Sequence, residues 1–429
     1  MRVLLMVVLV GAPAFAGEVL TVDEAVRRAL SDSLQMQAAR ERKEAADDAA
    51  RSARGQLLPS VVLSDELQHY SGPFTVALAI PGAPAGAGLT VRDQNTNSFV
   101  VSGKQPVVGL LKLSQEWRAA GANADAAASQ VENYERATRE AVETGFLRLF
   151  EARAAKEVAH VSQTQLGEQL TVAQARVEAG AFTTADVLRV QVARANIQQQ
   201  ELQAGVQESA ARIQLLTLLR LPLDADVDFA EPDSLEKEAE AAPPELSVAL
   251  NSAIEGRADL KQQVHLLESA EATARARLFT LLPDIDLTAA YVRVDGQALA
   301  QQNSAYIGVR ASWPIWLWGT QWYAHRAAVH QAEATRLGND DATRQVKGEV
   351  TGRMDQLRAA AAAIDVAKTA LTSAEEAYRV TSAVVQAGSG TTTDLLDAQS
   401  ALTQARLNLV RSRYQRTLAR VQLRRATGG

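Results

Sequence analysis

Two carboxylates near the C-terminus, Asp394 and Asp397, stand three residues apart, a spacing that sets both on one face of a helix. The chain carries an acid and a base at the same spacing 208 residues earlier, Asp186 and Arg189. Clustered carboxylates attract cations, and an acid beside a base can close an ion pair. Little else in the sequence offers chemistry. The five histidines are scattered, and His325 and His330, five apart, do not share a helical face. There is no cysteine, hence no disulfide framework and no lipidated N-terminal Cys. Metal-ligand spacing, a nucleophile elbow and a phosphate loop are all missing. These features point away from an enzyme, predict no catalytic, cofactor or metal site, and leave the placement of charge as the chemistry to explain.

The element that must position these charges is spelled twice. Ala179-Gly180-Ala181-Phe182-Thr183-Thr184-Ala185-Asp186-Val187-Leu188-Arg189-Val190-Gln191 matches Ala387-Gly388-Ser389-Gly390-Thr391-Thr392-Thr393-Asp394-Leu395-Leu396-Asp397-Ala398-Gln399 at a constant offset of 208. In each copy a helix runs into a glycine that can take positive φ, and a Thr-x-x-Asp capping box starts the next helix. Capping is thus a complete alternative role for Asp186 and Asp394. Asp397 lies beyond the first turn, where capping does not account for it. The two tips are polar turns with no apolar anchor, and residues 181–184 and 389–392 are expected to be exposed.

The arms are long. Pro106 and Pro314 are also 208 apart, and 74 residues separate each from its tip glycine with no proline between. A helix of that length extends about 110 Å. The return arms, roughly Thr184 to Arg220 and Thr392 to Arg425, cover half of it. Two more helical segments, roughly Val22 to Gln56 and Leu246 to Leu282, supply the rest. Each half therefore predicts one long helix beside two shorter ones stacked end to end, a hollow-tube plan in which another half or another chain covers the remaining face.

Alternation of apolar and polar residues appears in four places. These are around Val61 and Leu63, Phe99 and Val101, Ile285 to Tyr291, and Ile307 to Trp313. They predict four strands with one apolar and one partly polar face, as in membrane barrels. Four strands cannot close a barrel, since about eight is the minimum. Trp313, Trp316, Trp318 and Trp322, with Tyr323, fall where the last strand hands over to the long helix. They suit a membrane-interface belt, and core packing of a strand end is the alternative.

The domain plan follows from these parts. Residues 1–16 form a signal peptide, with Arg2, an apolar run and Ala14-Phe15-Ala16 as cleavage site. The first repeat spans 17–220, a Pro- and acid-rich linker 221–245, the second repeat 246–426 and a tail 427–429. The formal charge of −6 argues against nucleic acid as a partner. The uncharged stretch Phe74 to Val91 contains Pro81, Pro84 and several glycines, which break helical hydrogen bonding and predict an extracellular loop.

The duplicated strand pair and long helix, together with the tips A-G-x-x-T-x-x-D-x-L-x-x-Q, resemble the TolC-type outer-membrane efflux proteins. Leu20 to Val26, the Leu-Pro strand starts at Leu58-Pro59 and Leu282-Pro283, and Arg257-Ala258-Asp259-Leu260 are similar to family patterns as well. The resemblance implies a mainly α fold with a small β part. It implies a homotrimer with an α-helical barrel through the periplasm and a β-barrel in outer-membrane lipid of a Gram-negative cell. It also implies a cofactor-free duct for efflux or type I secretion, docked at its tips to a periplasmic adaptor and an inner-membrane transporter. Gly180, Thr183, Gln191, Gly388, Thr391 and Gln399 are the docking positions carried over. Asp394, Asp397, Asp186 and Arg189 are those of the periplasmic gate, where carboxylate rings are expected to raise one another's pKa values and Arg189 to pair with the second tip. Where the family can have Tyr and a basic residue at the second tip, this chain has Val385 and Gly390. A periplasmic adaptor, with one hairpin between other modules, and a structural coiled-coil protein are the competing architectures.

Overall fold

A computed structural model describes residues 18–77 and 88–429. The expected signal peptide and the middle of the 74–91 loop lie outside those residues. The chain divides into two compact units. One comprises residues 18–40, Gln130–Leu260 and Ala342–Gly429; the other comprises Glu41–Ser129 and Lys261–Asp341.

The second unit holds the sheet. Strands β2 (Ser60–His69), β4 (Gly88–Pro106), β6 (Asp284–Gln297) and β7 (Asn303–Ser312) pair antiparallel in that order, and β3 (Phe74–Ala77) pairs with the far end of β4. All four alternating runs are therefore strands. The fifth strand was not expected. Its Thr75 and Val76 pair with Thr90 and Leu89 across the ladder, so the flanks of the Pro/Gly stretch extend the sheet.

The register follows from the alternation, because a one-residue slip exchanges the two faces. Leu63 stands opposite Val101, Val101 opposite Tyr291, and Ala289 opposite Ile307, which gathers the apolar residues on one side. That side has no cover in the single chain: Val61, Leu63, Ile307 and Val309 are all exposed. Ser60, Ser64, Ser102, Lys104, Asp286, Thr288 and Arg310 occupy the other face, where Lys104 Nζ meets the Asp286 carboxylate at 2.9 Å.

The helices are α1 (Val22–Asp32), α2 (Leu34–Gly55), α3 (Gly109–Glu178), α4 (Thr184–Leu218), α5 (Asp233–Glu240), α6 (Leu246–Gly256), α7 (Ala258–Phe279), α8 (Thr320–Gln386) and α9 (Thr392–Ala426). The two long arms are present as α3 and α8. Their starts differ in the repeat, because Trp318 and Gly319 both take positive φ and delay α8 to Thr320. The two segments expected to be continuous are each broken by one extended residue, Ser33 and Arg257. Arg257 is held there by a two-pronged bond to the Asp259 carboxylate and by further bonds to Glu349 and the Ala426 carbonyl.

The linker is ordered. Its β5 (Val227–Phe229) pairs in parallel with β1 (Glu18–Leu20), and α5 follows. Val227 and Phe229 are buried, and the Phe229 ring meets Phe146 edge-on at 5.3 Å. Alternation over three residues is too short to signal a strand, so this pair was not legible. Around it lies the main core of the first unit, which includes Val26, Val142, Leu149, Leu215 and Val421. Arg424 of α9 bonds both Glu143 of α3 and Glu238 of α5, which ties the linker helix to the bundle.

Candidate functional site

The duplicated tips lie in the first unit, and each is built as its residues dictate. Gly180 and Gly388 have φ of +74° and +82°, which L-residues with a Cβ rarely adopt. Each closes a Schellman motif. Ala181 N–H donates to the Arg176 carbonyl and Gly180 N–H to Val177; in the second copy Ser389 donates to Val384 and Gly388 to Val385. Both capping boxes are present. The Asp186 amide donates to the Thr183 hydroxyl, and the Asp186 carboxylate accepts from the Thr183 amide and hydroxyl; Thr391 and Asp394 repeat the pattern.

Within one chain these caps act on the two carboxyls in the opposite sense to the like-charge effect expected between copies. Bonds from the Thr391 hydroxyl and amide hold the Asp394 carboxyl below the usual range, not above it. Asp186 is lowered in the same way by Thr183, with smaller help from the Thr392 hydroxyl and Arg189. Within one chain Arg189 pairs at its own tip. Its guanidinium lies 3.3 Å from Asp186, one turn back on its own helix, which is the shorter reach. Asp397 is exposed and has no hydrogen-bond or ion-pair partner among the described residues.

Two expectations about the tips need correction. Residues 389–391 are exposed or half-buried, but Thr392 is only 4% exposed. The first tip does have an apolar anchor, Phe182, half-buried with the Arg176 guanidinium 5.1 Å from its ring centre. The repeat also hides an asymmetry: Gln191 is exposed, whereas its twin Gln399 is buried and donates to Gln165 Oε1 at 2.9 Å.

Between the hairpins of the chain lies a cavity of about 290 Å³, bordered by Gln169, Arg176, Phe182, Tyr378, Val385 and Leu395 among others. The seam beside it is crossed by polar bonds that the sequence did not suggest. At the end of α8, Arg176 donates to the carbonyl of Val385 at 2.8 Å, which also accepts from Gly388 N–H, and to that of Gln386 at 3.2 Å. Gln169 donates to the Tyr378 hydroxyl at 3.0 Å, and the Ser162 and Thr403 hydroxyls share a bond of 2.9 Å. The side chains that make these bonds, Arg176, Gln169, Tyr378, Ser162 and Thr403, all differ from their counterparts in the other repeat, and that departure was the only available signal.

The aromatic group belongs to the other unit. Trp313, Trp316, Trp318 and Trp322 are all exposed, with Trp316 and Trp318 edge-on at 5.6 Å. His325 Nδ1 contacts the Ala274 carbonyl at 3.1 Å, a structural contact. Among the described residues no cluster of His, Cys, Asp or Glu can hold a metal, and no helix is long and apolar enough to cross a membrane.

Comparison with known proteins gives consistent matches. The family model "Outer membrane efflux protein" matches residues 25–219 and 249–429. Outer membrane efflux protein BepC of Brucella suis is 25% identical over 288 residues, which span 66% of this chain and 61% of BepC. Alkaline protease secretion protein AprF of Pseudomonas aeruginosa is 26% identical over 273 residues, 62% of this chain and 56% of AprF. The matches thus span roughly six-tenths of each relative. Among solved structures, the outer membrane protein VceC of Vibrio cholerae superposes with a TM-score of 0.82 at 17% identity, covering 95% of this chain and 96% of VceC. The open state of the Neisseria gonorrhoeae MtrE outer membrane channel gives 0.77 at 19%, with coverage of 95% and 89%. These two likenesses establish the fold.

Proposed function

The chain belongs to the outer membrane efflux protein family, and from that premise we propose that it is the outer-membrane exit duct of a tripartite efflux or type I secretion system. It takes substrate from a periplasmic adaptor and an inner-membrane transporter and releases it outside. The observation that carries this reading is the sheet. It has one uncovered apolar face, one partly polar face, and free outer edges on β2 and β7 among the described residues. Lipid suits the first face and a water-filled lumen the second, while open edges are unstable in lipid and call for other copies. Three copies supply twelve strands in the main ladder.

The helices support the same assembly. Leu202, Val206 and Ile213 form an exposed stripe on α4, at 66%, 69% and 48%. Their twins on α9, Val410, Tyr414 and Val421, are half-buried or buried. A duplicated face that is covered in one copy and bare in the other calls for a second chain to complete the repeat. A lone adaptor hairpin leaves the second hairpin and the sheet unexplained, and a structural coiled coil leaves the exposed tryptophans unexplained.

In this reading Trp313, Trp316, Trp318 and Trp322 sit at the membrane interface. Gly180, Thr183, Gln191, Gly388, Thr391 and Gln399 shape the ends that meet the adaptor. Asp394 and Asp397, with Asp186 and Arg189, surround the periplasmic mouth. Sedimentation of detergent-extracted protein tests the assembly: a trimer that survives mild SDS and dissociates on heating is expected, and a monomer in extracted outer membranes overturns it.

A further inference from the structure

The duplication extends into the sheet, and its register can be carried from one repeat to the other. Strands β4 and β7 correspond at an offset of 208, as Pro106 and Pro314 do. Strands β2 and β6 correspond at 224, as do Leu58-Pro59 with Leu282-Pro283, the helix breaks at Ser33 and Arg257, and the helix ends at Gly55 and Phe279. The two ladders inside the repeats bear these offsets out. Ser60 stands opposite Lys104 and Leu63 opposite Val101. Moved by 224 and 208, these become Asp284 opposite Ser312 and Leu287 opposite Val309, both of which are observed pairs.

The joint between the repeats, β4 with β6, therefore has a counterpart in β7 of one copy with β2 of the next. The same offsets applied to the β4–β6 ladder place Ser312 opposite Ser64, Arg310 opposite Glu66 and Val309 opposite Leu67. Just past the end of β7, Trp313 falls opposite Leu63. Each pairing sets like face on like. Val309, Leu67, Trp313 and Leu63 are apolar and all exposed in the single chain. Arg310 and Glu66 belong to the partly polar face. There Lys104 already holds Asp286, whereas Arg310 is exposed with no hydrogen-bond or ion-pair partner among the described residues. Glu66 accepts only from the Gln68 amide. The joint thus brings a leftover base to a leftover acid. A slip of two residues either way also preserves the faces, but it sets Arg310 opposite Ser64 or Gln68 and leaves both charges unpaired.

We infer that β7 of one copy pairs antiparallel with β2 of the next in this register, with an Arg310–Glu66 ion pair across every such joint. Opposite charges directly across a ladder stabilise it, and here they also select one register among those the faces allow. The inference rests on the duct reading above and adds which residues join the copies.

The absence of native cysteine gives a clean background for the test. Within one chain β2 and β7 lie three strand spacings apart, about 14 Å, so a disulfide between them joins two copies. Directly opposed residues are within reach of a disulfide, whereas those displaced by two are roughly 7–8 Å apart and beyond it. The full chain is made as S64C/S312C, V62C/S312C and E66C/S312C, extracted from outer membranes, oxidised mildly and run on non-reducing gels. S64C/S312C is expected to link copies, and the other two to stay unlinked. Separately, E66R and R310E are each expected to lower the temperature at which the trimer dissociates in SDS, and E66R/R310E to recover it. A link confined to V62C/S312C or E66C/S312C, or no recovery in the charge exchange, overturns the inference while the assembly stands. No link from any pair in protein that sediments as a trimer overturns β7 with β2 as the joint. A monomer by sedimentation overturns the duct reading itself.

Discussion

Removing Arg424 should destabilise the first unit by an amount that depends on pH. The Glu143 side chain is only 3% exposed, and its carboxylate is bonded by the Arg424 guanidinium, which also bonds Glu238 of the linker helix. Burial pushes the Glu143 carboxyl above its ordinary value, and Arg424 opposes that push. In Arg424→Ala the buried charge loses its partner, a loss of about 3–5 kcal/mol. Taking up a proton limits that loss. Protonation costs about 1.36 kcal/mol per pH unit above the group's ordinary value near 4.5, so roughly 5 kcal/mol at pH 8 but only about 1.4 at pH 5.5. The sign follows from linkage: a carboxyl whose folded pKa is raised binds protons on folding, so the deficit grows as pH rises through that value and shrinks toward the unfolded one. Thermal unfolding in detergent, followed by circular dichroism at one scan rate, should show the variant roughly 10 °C below the parent at pH 8 for a cooperative unit of about 250 residues. The gap should narrow to a few degrees at pH 5.5. Adding Glu143→Gln should recover much of the loss at pH 8. A deficit that is the same at both pH values and is not relieved by Glu143→Gln would refute the buried-charge account.

Two further outcomes concern the tip carboxylates and the tryptophans. Asp394→Asn with Asp397→Asn should weaken cation preference and block by multivalent cations from the periplasmic side, without loss of trimer; unchanged bilayer recordings would leave the two residues as a cap and a surface charge. Tryptophan fluorescence in vesicles should be quenched by lipids brominated near the headgroup, and Trp316→Ser with Trp318→Ser should remove much of that quenching. Equal quenching in parent and variant would take these two rings out of the interface.

Much of the fold was legible because it is repetitive and local. The tips could be derived from Gly180, Gly388 and the Thr-x-x-Asp boxes, since positive φ and capping depend on a few adjacent residues. Strand faces followed from period-two alternation, and long helices from the distance between prolines. What failed was local order too short to show a period: β3, the β1–β5 pair, and the one-residue breaks at Ser33 and Arg257.

The candidate site divides along the same line. The sequence determined where each tip lies, that Asp186 and Asp394 are acids of a capping box, and that the two copies share one plan. Only the tertiary structure decided that identical twins have different fates, with Gln399 buried against Gln165 and Gln191 left exposed. It alone brought Arg176 to the carbonyls of Val385 and Gln386, more than 200 positions away. The physical reason is reach: capping and turn chemistry act within about five residues, while a strap depends on which distant helix end folding brings alongside.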